Sequence, residues 1–104
     1  MTLVELKQIL DATGLPIAYS HFKETQLPPY ICYLASYSSN FMADNKVYKN
    51  IDNIQIELYT TKKDLVAEAI IEAALNDNQV PWESTETFIE SEQLFQKIYE
   101  MRLI

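Results

Sequence analysis

Apolar residues recur along this chain with two periods, and the switches between them mark its elements. Leu3, Leu6 and Leu10, with Ile9 beside them, fall at helical spacing. Thr2 suits an N-cap, and Glu5 three residues later completes a capping-box spacing. Gly14 and Pro16 then end the element, so a helix is predicted over 2–13. Residues 17–22 read as a short strand. The Pro28-Pro29 pair gives a stiff, non-helical entry to the next element. Tyr30 to Tyr37 is aromatic and branched on both alternating sides, with Tyr30, Cys32 and Leu34 on one and Ile31, Tyr33 and Tyr37 on the other. Such a strand is buried on both faces, or on one face and at an interface on the other.

Asp44-Asn45 predicts a turn between Phe41-Met42 and Val47-Tyr48. Ile54, Ile56 and Leu58 alternate with Gln55, Glu57 and Tyr59, the clearest two-residue period in the chain. Residues 62–77 predict a second helix, with Thr61 and Asp64 at its start. Val66, Ala69, Ile70, Ala73 and Ala74 are its expected buried stripe, and Lys63, Glu68 and Glu72 its expected wet side. Asn76 to Asn78 and Pro81 close it. A strand is expected from Trp82 to Ile89. Residues 91–104 fit both a helix capped by Ser91 and a strand, and their aromatic and branched content favours the strand. The expected fold is α+β, a single domain over 1–104, with two helices on an antiparallel sheet in the order α-β-β-β-α-β-β.

Composition narrows the functions open to this chain. At 104 residues it is long enough for one core. Eight basic against fifteen acidic residues leave −7, which offers no basic footprint for nucleic acid. The charge is uneven. Residues 1–52 hold four bases and five acids, a balance of −1, while residues 53–104 hold four bases and ten acids, a balance of −6. A single glycine excludes a glycine-rich phosphate loop. One His and one Cys exclude a zinc site of several Cys and His, and also an intrachain disulfide. No stretch approaches the length of a membrane span, and the N-terminus lacks the layout of a signal peptide. No cofactor is expected.

Three groups of residues deserve weighing as chemistry. His21 with Cys32, Ser20 or Ser36 would form a nucleophilic pair only with an activated thiolate or hydroxyl, and no nucleophile elbow or glycine-lined oxyanion hole accompanies them. Cys32 within an apolar strand reads as a small buried hydrophobe. Glu83, Glu86, Glu90 and Glu92 lack calcium-loop spacing and read as a solvated face. The tyrosines of the central strands read as core packing or as a protein interface, because tyrosine suits sites where one end stays wet. Tyr37, Phe41, Met42, Asp44, Asn45 and Tyr48 are the candidate interface, centred on an apolar loop tip.

Several strings together carry a family resemblance. They are Gly14-Leu15-Pro16-Ile17-Ala18-Tyr19-Ser20-His21-Phe22, Pro28-Pro29-Tyr30, Asn40 to Tyr48, Ile56-Glu57-Leu58-Tyr59-Thr60, Trp82-Glu83 and Glu86 to Glu92. The chain resembles small morphogenesis proteins of tailed phages and prophages of Gram-positive bacteria, encoded between the major capsid and major tail proteins. The resemblance implies a head–tail connector, tail completion or tail terminator component. Such a component is non-catalytic, forms a homo-oligomeric ring on the tail, and meets tail-tube or connector proteins. It works in the host cytoplasm during assembly and in the virion, without membrane or specific nucleic-acid binding. Acids lining such a ring would repel passing DNA. The competing expectation is a small acidic inhibitor or regulatory protein that binds a host protein.

Overall fold

A computed structural model describes residues 1–38, 41–43, 46–49 and 51–103. Helix α1 covers Leu3–Asp11, followed by strands β1 (Ile17–Tyr19), β2 (Tyr30–Ser38), β3 (Phe41–Ala43), β4 (Lys46–Lys49) and β5 (Asp52–Thr60). Helix α2 (Leu65–Asp77) and strands β6 (Glu83–Ile89) and β7 (Leu94–Leu103) complete the order. Five strands form one sheet in the order β1-β2-β5-β7-β6, and β3 and β4 form a separate two-stranded ribbon. Without the ribbon the order is the expected α-β-β-β-α-β-β, and the fold is α+β. Residues 94–103 are strand, the aromatic and branched content having prevailed over the helical spacing.

The sheet departs from the antiparallel expectation at one edge. β1 runs parallel to β2, with Ile17 beside Ile31 and Tyr19 beside Tyr33. A parallel neighbour needs a return connection, and residues 20–29 provide it. β1 is also shorter than expected, because Ser20 turns the backbone to φ 67°.

Both helices pack on one sheet face. Leu6 and Leu10 of α1 and Ala67, Ile71 and Leu75 of α2 join Ile31, Tyr33, Ile54, Ile56, Leu58, Tyr99 and Met101 in one core cluster. The register explains the set, since Tyr33 stands opposite Ile56, which stands opposite Tyr99. Each fully buried aliphatic side chain contributes about 1.5–3 kcal/mol. Local signals fix the helix ends. The Glu5 amide donates to Thr2 Oγ1 at 3.1 Å, and the Ala67 amide donates to Asp64 Oδ1 at 3.0 Å. Asp64 is therefore the cap of α2, which begins at Leu65 rather than residue 62.

The face that α2 buries is the reverse of the expected one. Ala67, Glu68, Ile71 and Leu75 point inward, while Val66, Ala69, Ile70 and Ala73 are exposed. Ion pairing decides the orientation. Glu68 accepts from Lys63 Nζ at 3.0 Å and from Lys97 Nζ at 2.8 Å, and its side chain is 8% exposed. Lys97 enters this site because β7 presents it on the helix side, two residues before Tyr99. Glu72 accepts from the buried Tyr99 hydroxyl at 2.8 Å. The two acids expected to face water thus hold the helix to the sheet.

Burial pushes the Glu68 carboxyl up, but the hydrogen bonds and charges of Lys63 and Lys97 outweigh it and hold the group below its ordinary value. A carboxyl depressed in the folded state stabilises fully at neutral pH and loses that contribution as the pH falls below about 4.5. Glu68→Gln is therefore expected to cost ~2 kcal/mol at pH 7. It should cost progressively less in the acid range. Urea melts of both chains at neutral and acid pH measure this, and a gap independent of pH would contradict it.

Candidate protein interface

The candidate interface residues that the structure describes fall on three strands, Tyr37 on β2 and the others on β3 and β4. β3 and β4 pair antiparallel, with Met42 opposite Val47 and Ala43 opposite Lys46, so the segments on either side of the expected turn do meet. Phe41 and Met42 lie on β3 and Tyr48 on β4. Asp44 and Asn45, the expected turn itself, lie outside the described residues. Among the described residues neither ribbon strand joins the five-stranded sheet. The molecule measures 49 × 30 × 24 Å, with a radius of gyration of 14.8 Å, against about 13 Å for a compact chain of this length.

Tyr37 stands on the sheet face away from Ile31 and Tyr33, not on theirs. The register shifts between Ala35 and Tyr37, leaving Ser36 as the extra residue, and its Oγ donates to the Asn53 carbonyl at 3.1 Å. That bulge reverses the alternation and sets Tyr37 opposite Asn53. Tyr37 is 62% exposed, beside a groove lined by Trp82, Glu83, Glu100 and Arg102. Trp82 anchors the start of β6, with its ring edge-on to Tyr99 at 5.2 Å between centroids and its Nε1 donating to Asn76 Oδ1 at 3.0 Å.

The outer side of α2 is a further surface, absent from the sequence expectation. Leu65 and Val66 are 68% and 72% exposed, and Ala69, Ile70 and Ala73 continue the stripe. Between Leu65 and Leu75 the helix has two polar residues, Glu68 and Glu72, and both are tied to the sheet side. The signal was present in the sequence, because a helix apolar all round has more than one face to bury.

His21 and Cys32 both line one open cleft under the 20–29 connection. The cleft also holds an aromatic ladder, with Phe22 edge-on to Tyr30 at 5.4 Å and Tyr30 stacked on Tyr59 at 5.0 Å. Tyr59 donates to Glu57 at 3.1 Å and accepts from Gln96 at 2.8 Å. The His21 Nδ1 lies 3.2 Å from the hydroxyl of its neighbour Ser20. Cys32 is buried, and burial first and the Glu57 charge second push its thiol up to about 11. That shift is the opposite of thiolate activation.

The acidic stretch is exposed but does not share one face. Glu83 stands opposite Glu100, while Glu86, on the other side of β6, pairs with Lys63 at 2.8 Å. Among the described residues no group of three His, Cys, Asp or Glu could hold a metal ion, and no helix is long and apolar enough to cross a membrane. No protein-family model matches the chain, and no curated protein sequence matches it either.

A thiol raised to about 11 and covered by the connecting loop is expected to react slowly. Alkylation of native protein by iodoacetamide at pH 7.5 should run at least about tenfold slower than in urea, and should accelerate as the pH approaches 10. Equal rates in the two states would show an accessible, activated Cys32.

Proposed function

We propose that this chain is a structural subunit of a phage or prophage virion, acting at tail completion, tail termination or head–tail joining. It works by associating with copies of itself in a ring and by contacting tail-tube or connector proteins, and it carries out no catalysis. The observation that supports this reading is the β3–β4 ribbon. Among the described residues, two strands of this 104-residue chain pair with each other apart from the five-stranded sheet, which leaves ribbon edges that a neighbour could pair with. The motifs of the resemblance run through the same segment, from Asn40 to Tyr48. Exposed Glu83, Glu90 and Glu92 fit a surface that repels DNA if they line the ring.

The test is genetic and structural. Replacing residues 39–50 by a short glycine–serine turn should leave the melting of the five-stranded sheet nearly unchanged, because β3 and β4 pair in a sheet of their own. In the phage or prophage that encodes the chain, the same change should reduce infectious particles by orders of magnitude. Electron micrographs should then show heads and tails unjoined, or tails of irregular length. Normal particle yield from a strain lacking the gene would refute the proposal.

A further inference from the structure

We propose that the cleft under the 20–29 connection binds a guanidinium cation of the kind arginine carries. The inference goes beyond the virion reading and does not rest on it, since the cleft lies at the start of β2 and the ribbon follows its end. The cleft opens between the 20–29 connection and the β6–β7 turn, and its volume is about 800 Å³. That falls within the ~300–1,000 Å³ of small-ligand sites. Its floor is aromatic. Phe22, Tyr30 and Tyr59 form the ladder already described, and all three are half-buried, so ring surface remains open to the cleft. Aromatic rings attract cations and give anions nothing comparable.

The charges select the same sign. Glu24 and Glu92 stand in the walls, and Glu57 lies directly beside Cys32 of the floor, on the same sheet face. Among the described lining residues Lys23 alone carries a fixed positive charge, and His21 beside it lies against the Ser20 hydroxyl. Among the described residues Glu24, Glu57 and Glu92 make no ion pair. Glu57 is half-buried, and its carboxylate accepts from the Tyr59 hydroxyl at 3.1 Å. Burial pushes Glu57 up, and burial followed by the charges around it, Glu92 and Glu57 among them, pushes Tyr30 up. Cys32 and Tyr59 move the same way, with Glu57 contributing to both after burial. The floor therefore holds its protons beside carboxylates that lack a cation. A guanidinium answers this site better than an ammonium does. It is flat and weakly hydrated, so it leaves water readily and packs on rings, and it donates two parallel hydrogen bonds to one carboxylate.

Heteronuclear NMR of the intact chain, titrated with N-acetylarginine amide, tests this. Amide signals of residues 20–32, 57–61 and 90–96 should shift together, with a dissociation constant on the order of 1–10 mM. The lysine analogue should bind several-fold more weakly, and the neutral citrulline analogue should not bind. Glu57→Gln, which keeps an acceptor for Tyr59, should remain folded by circular dichroism and weaken binding about tenfold. Glu92→Gln should weaken it about threefold, and Glu83→Gln, outside the cleft, should leave it unchanged. A glycine-flanked arginine peptide that binds at least about tenfold tighter than the amide assigns the cation to a partner protein's side chain. Equal binding assigns it to a free guanidinium compound, and either result supports the site. No shift up to about 50 mM overturns the proposal, as does equal binding of the citrulline analogue. So do shifts centred on Glu83 to Glu86, which would show charge attraction to the acidic edge, or binding that Glu57→Gln leaves intact.

Discussion

The carboxylate of Glu68, held between the ammonium groups of Lys63 and Lys97, fixes how α2 lies on the sheet. A charge in that position is tolerated only because two cations and their hydrogen bonds reach it. Once Glu68 points inward, helical geometry carries Ile71 and Leu75 with it onto Ile56, Leu58 and Tyr99. It also carries Glu72 to the Tyr99 hydroxyl. The same rotation turns Val66, Ile70 and Ala73 to solvent. One ion-pair cluster thus completes the core and creates the molecule's most apolar exposed helix face.

The two sheet faces are finished by different means. The helix side is closed by the stripes of α1 and α2. The far side carries no helix, and its β1–β2 end is covered by the 20–29 connection that the parallel strand pair requires. That cover is what buries Cys32, stacks Tyr30 on Tyr59 and raises the thiol. His21 lines the same cleft as Cys32, but burial keeps the sulfur protonated. Geometry and electrostatics disagree there, and the electrostatics decide what the sulfur can do.

The surfaces that remain are a ribbon, an apolar helix face and an acidic edge strand. Among the described residues the ribbon pairs apart from the five-stranded sheet, α2 exposes Leu65 and Val66, and β6 exposes residues from Glu83 to Phe88. Each would be costly in a chain acting alone. These are the surfaces that the proposed virion subunit would offer to its neighbours.

Local chemistry alone determined most of the elements. Thr2 and Asp64 offered their oxygens to helix amides, Gly14 permitted φ 79° after α1, and the Ile54-Ile56-Leu58 alternation named the inner face of β5. Those signals depend only on neighbours within a few residues. What tertiary structure decided lay beyond that range. α2 is apolar around most of its circumference, so its periodicity could not choose a face. Lys97, twenty-nine residues from Glu68, chose it. The bulge at Ser36, closed by the carbonyl of Asn53, moved Tyr37 to the opposite face. The parallel pairing of β1 was hidden for the same reason, because strand direction is set by where the connecting chain can return and not by the residues of the strand.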